Sequence, residues 1–285
     1  MKLLFRIAFI VAAASTGLSG QQGRPLKVFI SVDMEGLSGV VSATEVSPTG
    51  PDYPHFRKIM AMETNAAVEG AFHAGATDVL VRDSHGSKQN LLPADVDKRA
   101  RLLRGQATGP KNMMEGIDDT FGAVVFIGFH AKAGTPNAIL EHTSTGNVID
   151  FSINDVSMPE AGYNALVAGL YNVPVVFIAG DKAVVEQVRG LLGPIEAVAV
   201  KEEIGEASLG MSPAAAEIMI QQGVEKAVRN RGQAKVYKMP GPYRMRLKVT
   251  AERPPYPGVT RVGQGEYTYT SPDLLEILKA FNALK

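Results

Sequence analysis

The stretch Lys27-Val28-Phe29-Ile30-Ser31-Val32-Asp33-Met34-Glu35-Gly36 decides the fold. From Val28 to Val32 it is a β-branched and apolar run broken only by Ser31, the pattern of a parallel strand buried on both faces. Similar runs recur at 79–81, 124–127 and 175–179. Helical segments lie between them. Residues 57–74, rich in Ala, Met and Glu, stop at Gly75, and residues 159–171 open behind Ser157 as N-cap. This alternation predicts an α/β fold, a mostly parallel sheet flanked by helices. Within 137–153, Thr145-Gly146-Asn147 separates two β-compatible stretches, which predicts a hairpin or an excursion at the sheet edge.

Beyond about Gly180 the texture changes. Helices are expected over 182–192, 212–230 and 271–284, with strands over 195–200 and 247–250 and a scatter of prolines in the loops. The predicted organisation is an α/β metal-binding catalytic domain over 26–190 and a smaller C-terminal α+β domain over 191–285.

With 285 residues and 45% apolar composition, the chain can bury one large core or two unequal ones. Lys plus Arg and Asp plus Glu both number 29, so no net field gathers nucleic acid or acidic lipid, and nucleic acid is set aside as a partner. Cysteine is absent, so disulfides and thiolate sites are excluded and any metal must be held by oxygen and imidazole nitrogen. Residues 1–20 read as a signal peptide: Met1-Lys2, an apolar run from Leu3 to Ala14 interrupted by Arg6, then small residues up to Gly20. The run is too short to span a bilayer comfortably. The expected location is therefore the periplasm or the exterior, with no stable membrane span after cleavage.

In open parallel sheets, ligands gather beyond the carboxyl ends of the strands. The unusual polar residues of this chain fall there. Asp33 and Glu35 follow the first strand at i, i+2, which puts two carboxylates on one side of an extended chain, where a cation relieves their repulsion. His85 follows the second strand and His130 the third, so two of the five histidines occupy equivalent positions. Glu160, in a helical first turn, reads either as a ligand or as a residue that complements the helix dipole. His142 either reaches over the same sheet edge or is a solvated loop residue. His55 and His73 read as structural, and Asp83 and Asp181 are open between supporting the site and turning or capping the chain.

These residues resemble the peptidase M55 family, the D-aminopeptidases associated with dipeptide transport operons. The resemblance rests on Ser31-x-Asp33-x-Glu35-Gly36, Asp83-Ser84-His85-Gly86, Gly128-Phe129-His130-Ala131 followed by Ala133-Gly134-Thr135-Pro136, His142-Thr143, and Glu160-x-Gly162-x-Asn164-Ala165. It extends from about Lys27 to the C-terminus and thins after residue 190. It implies two Zn2+ per chain, with Mn2+ or Co2+ as alternatives. Asp33 would bridge them, Glu35 and His85 would complete one side, and His130 and Glu160 the other. His142 would be the catalytic histidine. The implied reaction removes N-terminal residues, D-amino acids such as D-Ala, from short peptides or amides through a water activated by the two zinc ions. The implied assembly is a homo-oligomer, a homodecamer of stacked pentameric rings. The signal peptide departs from a cytoplasmic pattern. Two other readings compete: an exported peptide-binding protein without catalysis, and a binuclear metallophosphoesterase, although the latter enzymes typically open with Asp-x-His where this chain has Asp-x-Glu.

Overall fold

The computed structural model describes residues 25–285, so the expected signal peptide lies outside the described residues. In chain order the elements are β1 (Lys27–Val32), α1 (Ala43–Val46), α2 (Tyr53–His73), β2 (Asp78–Asp83), β3 (Arg101–Leu103), β4 (Ala123–Phe129), β5 (Val148–Ile153), β6 (Val156–Ser157) and α3 (Glu160–Leu170). They continue with β7 (Val175–Asp181), α4 (Lys182–Leu192), β8 (Glu196–Ile204), β9 (Ala207–Gly210), α5 (Pro213–Arg229), β10 (Tyr243–Val249), β11 (Thr260–Gly263), β12 (Glu266–Ser271) and α6 (Leu274–Leu284).

A seven-stranded sheet runs β3-β2-β1-β4-β7-β8-β9, all parallel except the antiparallel edge pair β8–β9. The expected α/β architecture is present. Alternate residues of β1 feed different cores: Val28, Ile30 and Val32 pack with α2 and α5, while Phe29 faces the α3 and α4 side. The chain winds outward from β1 to β3, then returns to β4 and winds the other way. The β1–β4 junction is therefore the switch point, where an open sheet leaves a crevice at its carboxyl edge.

A second, antiparallel sheet has the order β11-β12-β10-β5-β6. It pairs strands from residues 148–157 with strands from the last part of the chain, while β8, beyond residue 190, pairs with β7 in the first sheet. Sheet pairing thus cuts across the expected boundary near 190. The hairpin expected at Thr145-Gly146-Asn147 does not form there. Only a single bridge joins Thr143 and Thr145, and the tight turn instead links β5 to β6 at Asn154-Asp155, both in left-handed geometry (φ 51° and 63°). Ser157 does not cap α3 either. It belongs to β6 and donates its hydroxyl to Asp150, while Pro159 holds the cap position. Helix α2 begins earlier than expected, at Tyr53, because Pro54 suits a first helical turn that a loop reading takes as a breaker. Among the described residues no helix is long and apolar enough to cross a membrane.

Two buried charges fix the loop that leaves β1. The Glu63 Oε1 of α2 accepts from the Ser38 amide (2.9 Å) and hydroxyl (2.6 Å), and Lys201 Nζ of β8 donates to the carbonyls of Glu35 and Val40. Burial pushes the Glu63 carboxyl up to about 7 despite those Ser38 bonds, and burial lowers Lys201 to about 8. Because the folded value for Glu63 exceeds its ordinary 4.5, its contribution to stability is complete below that value and is lost as pH rises through about 7. Glu63→Gln keeps an oxygen acceptor for Ser38 without the titration. Its melting temperature is expected to gain on the wild type as pH rises from about 5 to about 8; a difference independent of pH in thermal denaturation would contradict this.

Candidate metal centre

The strand ends deliver the expected residues to one place. Asp33 and Glu35 leave β1, His85 follows β2 and His130 follows β4, three neighbouring strands whose order is β2-β1-β4. Glu160 enters from the first turn of α3, and His142 from the segment before β5. Their potential ligand atoms form two groups. Asp33, Glu35 and His85 lie mutually within 4.8 Å, as do His130, His142 and Glu160. Asp33 faces both, with Oδ1 3.2 Å from His85 Nδ1 and Oδ2 3.6 Å from His130 Nε2. His85 Nδ1 is also 3.0 Å from Glu35 Oε2, and Glu160 Oε1 is 3.5 Å from His130 Nε2 and 3.7 Å from His142 Nε2.

Close backbone approach makes this convergence feasible. The Asp33 amide donates to Ile127 O and the Gly36 amide to Gly128 O, both at 2.8 Å, which draws the end of β1 against β4. A Cβ on Gly36 would stand 1.8 Å from Phe129 O, and one on Gly128, at φ 70°, would stand 2.2 Å from Asp33 O. Only glycine fits at either position.

Each imidazole is oriented by a main-chain carbonyl. A carbonyl can only accept, so the ring nitrogen that meets it carries the proton, and in the neutral ring the other nitrogen keeps its lone pair. His85 donates from Nε2 to Val46 O, His130 from Nδ1 to Ala131 O and His142 from Nδ1 to Leu140 O, each at 2.9 Å. The lone pairs of His85 Nδ1, His130 Nε2 and His142 Nε2 are left facing the carboxylates. His130 Nε2 is fully buried and has no hydrogen-bond partner, which is what a ligand atom awaiting a cation looks like.

Asp33, Glu35 and Glu160 are 3%, 7% and 4% exposed, so three carboxylates share a poorly hydrated space. Burial alone would raise the carboxyl of Glu35, but His85 outweighs it and holds Glu35 well below the carboxylate range. Glu160 is likewise lowered by His130 against its burial. Burial opposes a charge on His130, yet Glu160, Glu35 and Asp33 raise it to about 10, and His85 is raised well above its ordinary value by Glu35 and Asp33. A field that holds protons this strongly favours any cation placed among the same atoms. Carboxylates and oriented imidazoles without thiolates make a donor set that zinc accepts, so the residues present fit that metal.

The remaining sequence expectations divide. Asp83 does not touch His85: its carboxylate accepts from the amides of Asn90 and Leu91 and from Asn90 Nδ2, and Asn90 in turn donates to His85 O. It shapes the loop rather than the ring. Asp181 caps α4 through Val184 N and also accepts from Ala131 N, beside His130. His73 pairs with Glu69 and Glu225 outside the site, and His55 packs on Phe56. The sequence reading missed Lys88, Ser144 and Lys285, which line the same cavity. Lys88 had a signal, since it lies in the loop that carries His85. Ser144, whose amide donates to Glu160 Oε1 at 2.6 Å, had the same signal, two residues beyond His142, whereas Lys285, just past α6, had none.

Comparison with known proteins shows the family. A family profile described as D-aminopeptidase, peptidase M55, matches residues 26–283. A D-aminopeptidase from Bacillus subtilis (strain 168) is 37% identical over 211 residues, which cover 74% of this chain and 76% of that protein. A solved structure of the Zn-dependent D-aminopeptidase DppA from Bacillus subtilis, described as a self-compartmentalizing protease, matches with a TM-score of 0.85 and 32% identity over 90% of this chain and 96% of that one. With its fold and nearly its whole length in agreement, the chain belongs to the peptidase M55 family of D-aminopeptidases.

Proposed function

We propose that this metal-dependent D-aminopeptidase works through two zinc ions per chain, with Asp33 shared between them, Glu35 and His85 on one side, and His130 and Glu160 on the other. The observation that carries this is the placement of Asp33, one carboxylate oxygen toward each ligand group. Zinc supplies Lewis-acid polarisation of the scissile carbonyl and acidifies water, so the chain needs no serine or cysteine nucleophile.

The protein's own part is to orient and to move protons. His142 differs from the other two histidines in being more open, with a quarter of its side chain exposed. Its Nδ1–H is fixed on Leu140 O, so Nε2 is the atom that can take a proton from the attacking water and return it to the departing amine. Its ring stacks on His130 at 4.0 Å, which holds that nitrogen over the site. The substrate proposed is a short peptide with an N-terminal D-residue. The self-compartmentalizing character of DppA supports a homo-oligomer, extended in this proposal to a decamer. The apolar run from Leu3 to Ala14 supports export to the periplasm or beyond.

Elemental analysis is expected to find close to two zinc ions per chain, and chelation to abolish cleavage of D-Ala p-nitroanilide, which wild type should prefer to the L-Ala compound. Metal-free protein that still cleaves would sink the metal reading. His142→Ala should lower kcat by roughly 10²–10⁴, the usual worth of a general acid–base group, while zinc content stays near wild type. Asp33→Ala should lose both metals; full occupancy in that variant would refute the shared carboxylate. Ultracentrifugation of the mature protein should show a large ring assembly, and a monomer-sized particle would refute it.

A further inference from the structure

Two cations share the cavity with the ligand groups and have no part in the mechanism above. Lys88 comes from the loop after β2 and Lys285 from the end of α6, and both line a cavity of about 390 Å³ together with Asp33, His142 and Glu160. Lys88 is 7% exposed, and it stands at φ 62°, a left-handed backbone in which a side chain is strained and glycine is not. The position thus retains a lysine where the backbone would prefer none.

The hydrogen bonds of both ammonium groups go to neutral oxygens. Lys88 Nζ donates to Ser84 O, and Lys285 Nζ donates to Ser144 Oγ at 2.5 Å. Neither forms an ion pair among the described residues. The carboxylates whose field reaches them are Asp33 and Glu160, which the metal centre uses, and, for Lys88, Asp83, whose oxygens already accept from Asn90 and Leu91. Burial lowers both lysines, and the charge of Lys88 lowers Lys285 further, to about 8. An ammonium has three donors, so each retains capacity for a ligand. A buried and a half-buried cation lining one cavity, with no ion pair of their own among the described residues, call for an anion with two oxygens.

We propose that Lys88 and Lys285 form a subsite for the terminal carboxylate of a short peptide. The assignment rests on the aminopeptidase reading, which puts the amino end and scissile bond at the metal groups. It adds that the other end of the substrate is held by charge, so the enzyme selects peptides short enough to present both ends inside one small cavity. Amides, and peptides whose carboxylate lies beyond the cavity, lose that contact.

The test compares kcat/KM of the zinc-loaded enzyme on D-Ala-D-Ala and on D-Ala-D-alaninamide, which share a scissile bond and differ only in the terminal carboxylate. Wild type is expected to prefer the acid by about tenfold or more, the scale of a charge-assisted contact. In Lys88→Met and in Lys285→Met that preference should fall toward parity, through a higher KM for the acid. Should Lys88→Met fail to fold, since its amine also holds Ser84 O, Lys285→Met decides alone. Equal cleavage of acid and amide by wild type, or an unchanged preference in the folded variants, overturns the subsite and leaves the aminopeptidase reading standing. Cleavage of neither peptide by wild type overturns that reading and the subsite with it.

Discussion

Mutual repulsion among Asp33, Glu35 and Glu160 is the constraint on which the rest of the site depends. Three carboxylates in a space with little water cannot all stay ionised without cations among them, since a low effective dielectric magnifies their repulsion. The chain keeps them together by force of backbone. The end of β1 is bonded to β4 through Asp33 N and Gly36 N, and Glu63 and Lys201 hold the next residues from α2 and β8. None of these anchors needs the carboxylates to be neutral. The cost of convergence is thereby met by the packing of the parallel sheet, and the benefit appears as affinity for cations.

The imidazoles complete the same design from the opposite charge. A histidine free to rotate would turn its proton toward Asp33 or Glu160 and become a simple ion-pair partner. Main-chain carbonyls at Val46, Ala131 and Leu140 prevent this by fixing the tautomer. Orientation therefore comes from backbone, which substitution at neighbouring side chains does not readily alter. Asp83 and Asn90 act at one remove: they shape the loop from which His85 is presented.

Legibility in the sequence followed the range of the interactions. β1, β2, β4 and β7 could be read because a parallel strand buried on both faces must be apolar throughout, a local signal. Asp33, Glu35, His85 and His130 could then be placed, since polar residues just past such strands face the carboxyl edge. Glu160 was ambiguous for a physical reason: an acid in a first helical turn is favourable with or without a ligand. The second sheet was nearly invisible. β5 finds its partner, β10, far along the chain, and its own turn at Asn154-Asp155 competes on paper with the equally turn-like Thr145-Gly146-Asn147. β10 alternates exposed and buried residues over Tyr243–Val249, yet only its end stood out against the prolines around it.

That second sheet determines more of the site than its distance suggests. α3, which begins with Glu160, follows β6 after a short link, and α6, which ends just before Lys285, packs on β10 and β12. Phe151 of β5 stacks on Phe281 of α6 at 4.0 Å, and Tyr163 of α3 meets both rings edge-on. One aromatic cluster therefore ties the strand, the helix bearing Glu160 and the helix bearing Lys285 into a unit. Asp33, Glu35, His85 and His130 depend instead on the parallel sheet. His130 and Glu160, members of one ligand group, are thus held by different sheets, so the geometry within that group is set by how the antiparallel sheet docks on the α3 side of the parallel one. Substrate selection is coupled to that docking as well, because the same unit carries Lys285.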